Sequence, residues 1–223
     1  MAAILRVYGI MLLKGMGQTL LMTLLTLVIA TIIGMIFGLM NVGRNRILNL
    51  IGTVYVDAIR GVPLIVLAYF VFFGIPAGMQ GMGMRGFRLS ALQAGTIALS
   101  LNCGAYMAEI IRAGIESVDK GQMEAARSLG LSYWKAMAKV VLPQAIRTMI
   151  PSIINQFIIT LKDTSILSVI GFPELVNTAK NVVANTMSAF QVWSIVALMY
   201  LIVITLLSRL AKRVERRLNR GRQ

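Results

Sequence analysis

The chain has 223 residues, 57% of them hydrophobic and only 13% charged, with a mean hydropathy of +0.78. A soluble domain carries about 25% charged residues to solvate its surface, so water is excluded as the natural solvent and a bilayer takes its place. The formal charge of +14 is spread beside apolar runs, where basic residues meet the anionic headgroups of membrane lipids, and nucleic acid drops out as a partner.

No stretch is hydrophilic and long enough for a separate soluble domain, so residues 1–223 read as one membrane domain. The sequence has no His, and its single Cys103 lies in an apolar run. That leaves no metal cluster, no intrachain disulfide and no ready general base. An enzymatic role is not expected, and neither is a P-loop ATP site, since no GxxxxGK[ST] run occurs.

The first span covers 19–40, free of charge and long enough to cross a hydrocarbon core of about 30 Å. Arg6 and Lys14 precede it, but the apolar run is too long for a signal peptide and no small-residue cleavage site follows. The second covers 54–75, starting with Asp57 and Arg60 and interrupted at Gly61-Val62-Pro63. After it, GIPAGMQGMGMRG is Gly-rich and reads as a loop. The third covers 89–108 and ends at Glu109 and Arg112, an expected interfacial ion pair; Asp57 and Arg60 are expected to behave likewise. The fourth covers 140–161, with Pro143, Arg147 and Pro151 inside it, and the fifth 190–207. Between them, Gly171–Ala184 reads as a short interfacial helix.

Basic residues sort the connections into two sides. Arg44 and Arg46, then Arg112, Lys120, Arg127, Lys135 and Lys139, then the tail from Arg209 to Arg222 share one side. Arg6, Lys14, Arg85, Arg88, Lys162 and Lys180 fall on the other. The richer side faces the cytoplasm, which places the N-terminus outside and the C-terminus inside. The tail reads as a helix running along the membrane surface.

The longest polar interruption is the loop at 113–139. Good helix formers run from Gln122 to Leu129, Gly130 follows, and a second helix starts at Ser132. Two short helices meeting at Gly130 make a rigid knob, a shape suited to docking.

Glu124-Ala125-Ala126, three residues, Gly130, nine residues, Val140, one residue, then Leu142-Pro143 resembles the EAA signature of ATP-binding-cassette importer permeases. Val140 stands where that signature usually has Ile. IRGVP at 59–63, GAYMAEIIRAGI at 104–115, GQMEAARSLGLS at 121–132 and LKDTSILSVIG at 161–171 are similar to the polar amino acid branch, its glutamine-type permeases above all. The resemblance implies an all-α integral membrane protein of the type I importer fold, in a bacterial inner membrane. It further implies a cytoplasmic ATPase dimer holding ATP and Mg, a second permease subunit, and an extracytoplasmic binding protein. The second subunit is either identical or a homologue, with a homodimer favoured. No cofactor is expected on this chain itself. The resemblance makes Gln122, Glu124, Ala125, Ala126, Leu129, Gly130, Leu142 and Pro143 the coupling residues, with both small alanines allowing close approach to the ATPase.

Polar groups at membrane depth are costly and mark pathways. Asn102 and Tyr106 lie four residues apart on one helical face, beside Cys103. Asn155 and Gln156 either line a cavity or hydrogen-bond between subunits. At the end of the fourth span, Asp163 suits a substrate ammonium, and Lys162, Thr164 or Ser165 a carboxylate. Alternatively, Lys162 and Asp163 simply mark the outer interface. The 15 Met residues read as adaptable packing for moving helices. An ATP-independent secondary transporter would usually need more spans or inverted repeats, and a membrane scaffold would leave the EAA pattern unexplained.

Overall fold

The computed structural model describes residues 1–43 and 45–219, with side chains through Arg213. Arg44 and the end of the basic tail through Arg222 lie outside the described residues. Five helices are long and apolar enough to cross a membrane: α1 (Ala2–Val42), α3 (Leu64–Gly81), α4 (Ala91–Glu116), α6 (Tyr133–Ile170) and α8, whose apolar part is Ala189–Arg213. Between them lie α2 (Arg46–Gly61), α5 (Lys120–Ser128) and α7 (Leu175–Thr186). No strand occurs among the described residues; in lipid, a helix satisfies its own backbone polar groups and an open sheet edge cannot.

α1 and α4 lie side by side, running in the same direction. Gly95 packs on Met22, Ala30 on Cys103 and Met107, Gly34 on Met107, and Gly38 on Ala108 and Ile111. Ala30, Gly34 and Gly38 recur every four residues, so small residues line one ridge and the two backbones approach closely. A Cβ at Gly34 would stand 2.5 Å from the Cβ of Met107. α6 packs against an adjoining face of α4 in the opposite direction, with Gly95 and Cys103 at the edge shared with α1. Gly95 meets Leu167, Cys103 meets Thr160 and Gly114 meets Met149.

α1 has 41 residues, about 61 Å at ~1.5 Å per residue, twice the hydrocarbon thickness. Its first turns, ahead of the expected 19–40 span, pack Ile4, Leu12 and Met16 against Leu175, Ala179, Val192 and Ile195 of α7 and α8. The N-terminal segment is therefore part of the packed helix and not a lead-in.

The expected second span divides differently. Pro63 lacks an N–H and biases Val62 to extended backbone, φ −105° and ψ 129°. Residues 46–61 thus form a helix of their own, and the span runs from Leu64 to Gly81. Most of the Gly-rich stretch expected as a loop is helical through Gly81; the irregular segment is 82–90. Glycine weakens helices in water, but at membrane depth no solvent competes for the freed backbone groups.

Two wide π-helical turns, Phe70–Gly74 and Met137–Val141, each stand just ahead of a proline, Pro76 and Pro143. A proline ring clashes with the carbonyl four residues back, and a wide turn there moves that carbonyl aside. In α6 this keeps one helical path running from Tyr133 to Ile170. α7 covers most of the expected Gly171–Ala184 helix. It is wedged rather than laid on the surface: Leu175, Thr178, Ala179 and Val182 are buried.

The α1–α4 seam generates the first prediction. Gly34→Val should overpack it and cost about 1–3 kcal/mol, read as a lowered thermal midpoint in detergent. Gly17→Ala, where a Cβ meets nothing within 4 Å, should move the midpoint little.

Candidate translocation path and coupling loop

A cavity of about 390 Å³ opens between α4 and α6, lined by Tyr106, Glu109, Ile110, Pro151, Ser152, Asn155 and Gln156. Of the sequence candidates, it gathers Tyr106, Asn155 and Gln156. Asn102, expected on the Tyr106 face, is buried in the packing at 7% exposure. Cys103 is buried as well. Its sulfur accepts hydrogen bonds from Thr160 Oγ1 at 3.2 Å and Gln156 Nε2 at 3.8 Å, closing a polar clasp behind the cavity wall.

Sequence reasoning missed Thr148 and Ser152. With Gln144 and Asn155 they form an exposed polar stripe on α6 at spacings of three and four residues. The spacing of the stripe is a sequence signal, but Pro143, Arg147 and Pro151 interrupt the apolar pattern around it.

The Lys162–Ser165 group is not gathered at this cavity, since it begins six residues beyond Gln156 along α6. Thr164 is fully buried and donates to the Leu161 carbonyl at 2.7 Å, while Ser165 donates to that of Lys162 at 2.7 Å. Both hydroxyl protons are engaged by carbonyls of their own helix. Lys162 is exposed and Asp163 half-buried.

Glu109 and Arg112 do form the expected ion pair, with two guanidinium nitrogens on the two carboxylate oxygens; Arg112 also reaches Glu116 at 2.6 Å. Asp57 and Arg60 do not pair. The Arg60 guanidinium reaches instead across to α4, 3.9 Å from Glu109 and 5.2 Å above the centre of the Tyr106 ring. Pairing between helices distant in sequence leaves no spacing signal.

At the other end of α6, Asp119 caps α5 by accepting from the Gly121 N–H at 2.6 Å. Gly130 then adopts φ +85°, the left-handed region that favours glycine, and Ser132 begins α6. Ala126 is buried at 4% exposure against the chain itself, so only Ala125 of the two small residues faces outward. Met123 and Leu142 pack in one apolar cluster with Val141, Ala145 and Met149. Gln144 Nε2 donates to Gln122 Oε1 at 3.3 Å, tying the knob to the first residue of the polar stripe. Pro143 is exposed. Leu129 and Trp134 stand out at 85% and 78% exposure, a large apolar surface on a polar loop.

The model for the family described as "binding-protein-dependent transport system inner membrane component" matches residues 30–220. The chain belongs to that family. It is 36% identical over 208 residues to the glutamine transport system permease protein GlnP of Escherichia coli K12, covering 93% of each chain. It is 40% identical over 211 residues to the probable glutamine permease GlnM of Bacillus subtilis, covering 95% and 94%. A crystal structure of an amino acid ABC transporter with histidines superposes with a TM-score of 0.87 at 38% identity, over 94% and 95% of the two chains. The protein is thus a multi-pass inner-membrane permease subunit of an ABC importer for amino acids.

In this permease the connector between the fourth and fifth spans holds one more polar node. Glu174 is fully buried and caps α7, accepting from the N–H groups of Val176 and Asn177 at 2.8 and 2.6 Å; the Tyr200 hydroxyl of α8 donates to it at 3.4 Å. Thr19 of α1 accepts from the next N–H, Leu175, at 3.2 Å. Burial, opposed by these hydrogen bonds, pushes the Glu174 carboxyl from 4.5 up to about 6. The fold therefore favours the protonated form. That contribution is fully present below pH 4.5 and is lost as pH rises through about 6, a change of about 2 kcal/mol. Melts in detergent between pH 4.5 and 7 should show this slope, and Glu174→Gln should flatten it.

Proposed function

We propose that the permease is one of two identical subunits of a type I importer that moves glutamine into the cytoplasm by alternating access. The observation that carries this reading is the continuity of α6, one helix that begins in the knob and bears the polar stripe of the cavity. ATP and Mg bind on a separate cytoplasmic ATPase dimer, which closes on hydrolysis-coupled cycles and moves the knob. Glu124, Ala125, Leu129 and the missed Trp134 meet that ATPase. Gln122, Leu142 and Pro143 pass the motion into α6, and Gly130 sets the turn between.

The knob end faces the cytoplasm, so the N-terminus lies outside and the C-terminus inside. An extracytoplasmic binding protein delivers substrate to the opposite end, near Lys162 and Asp163. Tyr106, Ser152, Asn155 and Gln156 line the path farther in. The amide and hydroxyl groups there, beside a Glu109 whose charge is paired by Arg112, suit a substrate whose side chain is itself an amide, and the likeness to glutamine permeases supports the same choice. Arginine, glutamate, histidine and cystine are the competing substrates.

Uptake of labelled glutamine into proteoliposomes holding the permease, its ATPase and a binding protein tests the reading. Accumulation should require ATP. Gly130→Asp should leave insertion intact, because the strain a side chain meets at φ +85° falls in the loop between α5 and α6 and outside the spans, yet reduce uptake on the order of tenfold or more, equivalent to about 1.4 kcal/mol of lost coupling. Uptake without ATP would favour a secondary transporter. Failure of every amino acid to accumulate would remove the importer reading.

A further inference from the structure

We propose that the polar flank of α2 forms a third wall of the path, with Arg46, Thr53, Asp57 and Arg60 facing water inside the assembled importer rather than lipid. The inference rests on the reading of the α4–α6 cavity as the path. α2 has 16 residues, and its packed side is anchored. The Asn49 amide donates to the Asn41 carbonyl at 2.6 Å, Tyr55 donates to that of Leu101 at 2.8 Å and stacks on Phe37 at 3.9 Å, and Gly52 and Val56 are buried.

The open side of the helix divides lengthwise. Ile47, Ile51, Val54 and Ala58, at spacings of four, three and four, form an apolar flank; the first three are 69%, 49% and 57% exposed. Arg46, Thr53, Asp57 and Arg60, at spacings of seven, four and three, form an exposed polar flank beside it, bordered by the half-buried Asn49. Both are uncovered in the single chain. Lipid suits the first and not the second, since charged residues within a bilayer face protein or water.

Arg60 fixes where the polar flank looks. Its guanidinium lies over Tyr106 and next to Glu109, two residues that line the α4–α6 cavity. A second cavity, of about 520 Å³, lies against Arg46, Asn49, Leu50 and Thr53 at the opposite end of the same flank. Fourteen residues separate Arg46 from Arg60, about 21 Å of helix, so the flank runs from one cavity to the other. Asp57, one turn before Arg60, is exposed and makes no ion pair among the described residues, so its charge needs a polar surrounding. The flank carries both signs of charge, which suits passage of a zwitterionic amino acid without trapping either end.

Cysteine accessibility in the complete importer tests this. The chain has one Cys, so Cys103→Ser gives a thiol-free background; Cys103 is only 1% exposed, and the unaltered chain serves if that variant fails to assemble. Thr53→Cys, Asp57→Cys, Ile51→Cys, Val54→Cys and Asn155→Cys would be treated in proteoliposomes with a charged, membrane-impermeant thiosulfonate reaching the knob side. The mass shift of the permease is the readout. A thiol reacts as its thiolate, which needs water. Thr53→Cys, Asp57→Cys and Asn155→Cys should therefore react on the order of tenfold faster, or more, than Ile51→Cys and Val54→Cys. Unreactive Thr53→Cys and Asp57→Cys beside a reactive Asn155→Cys would overturn the α2 wall and leave the path standing. An unreactive Asn155→Cys would remove the path and this inference with it. Equal reactivity on both flanks would show α2 immersed in water and overturn the division.

Discussion

Everything in this permease is hung on the close parallel contact of α1 and α4. Between helices in a membrane the hydrophobic effect gives no net attraction, because lipid tails are as apolar as the side chains they replace. Association then depends on dispersion across closely fitted surfaces, and Gly34 and Gly38 of α1 allow that fit against Met107, Ala108 and Ile111. α4 is thereby held with an adjoining face toward α6, where the polar clasp of Cys103, Gln156 and Thr160 fixes the second contact. The cavity is what remains between α4 and α6 where Tyr106 and Asn155 fail to meet.

The same scarcity of driving force explains the polar pins at the periphery. Asn49 on Asn41, Tyr55 on Leu101, the Leu175 N–H on Thr19 and Tyr200 on Glu174 each bind a short helix or its cap to a long one. In hydrocarbon, a backbone donor or acceptor left alone costs several kcal/mol, so the Asn41 carbonyl at the end of α1 and the Leu175 N–H at the start of α7 have few alternatives to these contacts. Short helices are thus placed by hydrogen bonds, whereas the spans are placed by shape.

What the sequence disclosed, and what it hid, follows from the range of each interaction. The knob was legible because its determinants are local: helix formers up to Leu129, the glycine at 130, Ser132 at the next helix start. The existence of the spans was legible from apolar length. The separateness of α2 was not, because Val54 to Ile75 is apolar enough to read as one run, and only the Val62-Pro63 geometry divides it. Nor could spacing reveal that Arg60 prefers Glu109, 49 residues away, to Asp57 three residues away. Ala126 looked equivalent to Ala125 until the packing of α5 turned one inward. Glu174 was overlooked because a glutamate ahead of a helix resembles an ordinary exposed cap, and its burial depends on α1 and α8 together.

The unbroken course of α6 has a mechanical consequence. Its 38 residues make a lever about 57 Å long, held against α4 from Ala145 to Leu167 and free of that contact toward the knob. A tilt of about 5° would displace one tip relative to the other by roughly 5 Å, nearly one helical pitch. On the proposed coupling, small movements of the knob would in this way be enough to widen or close the opposite mouth.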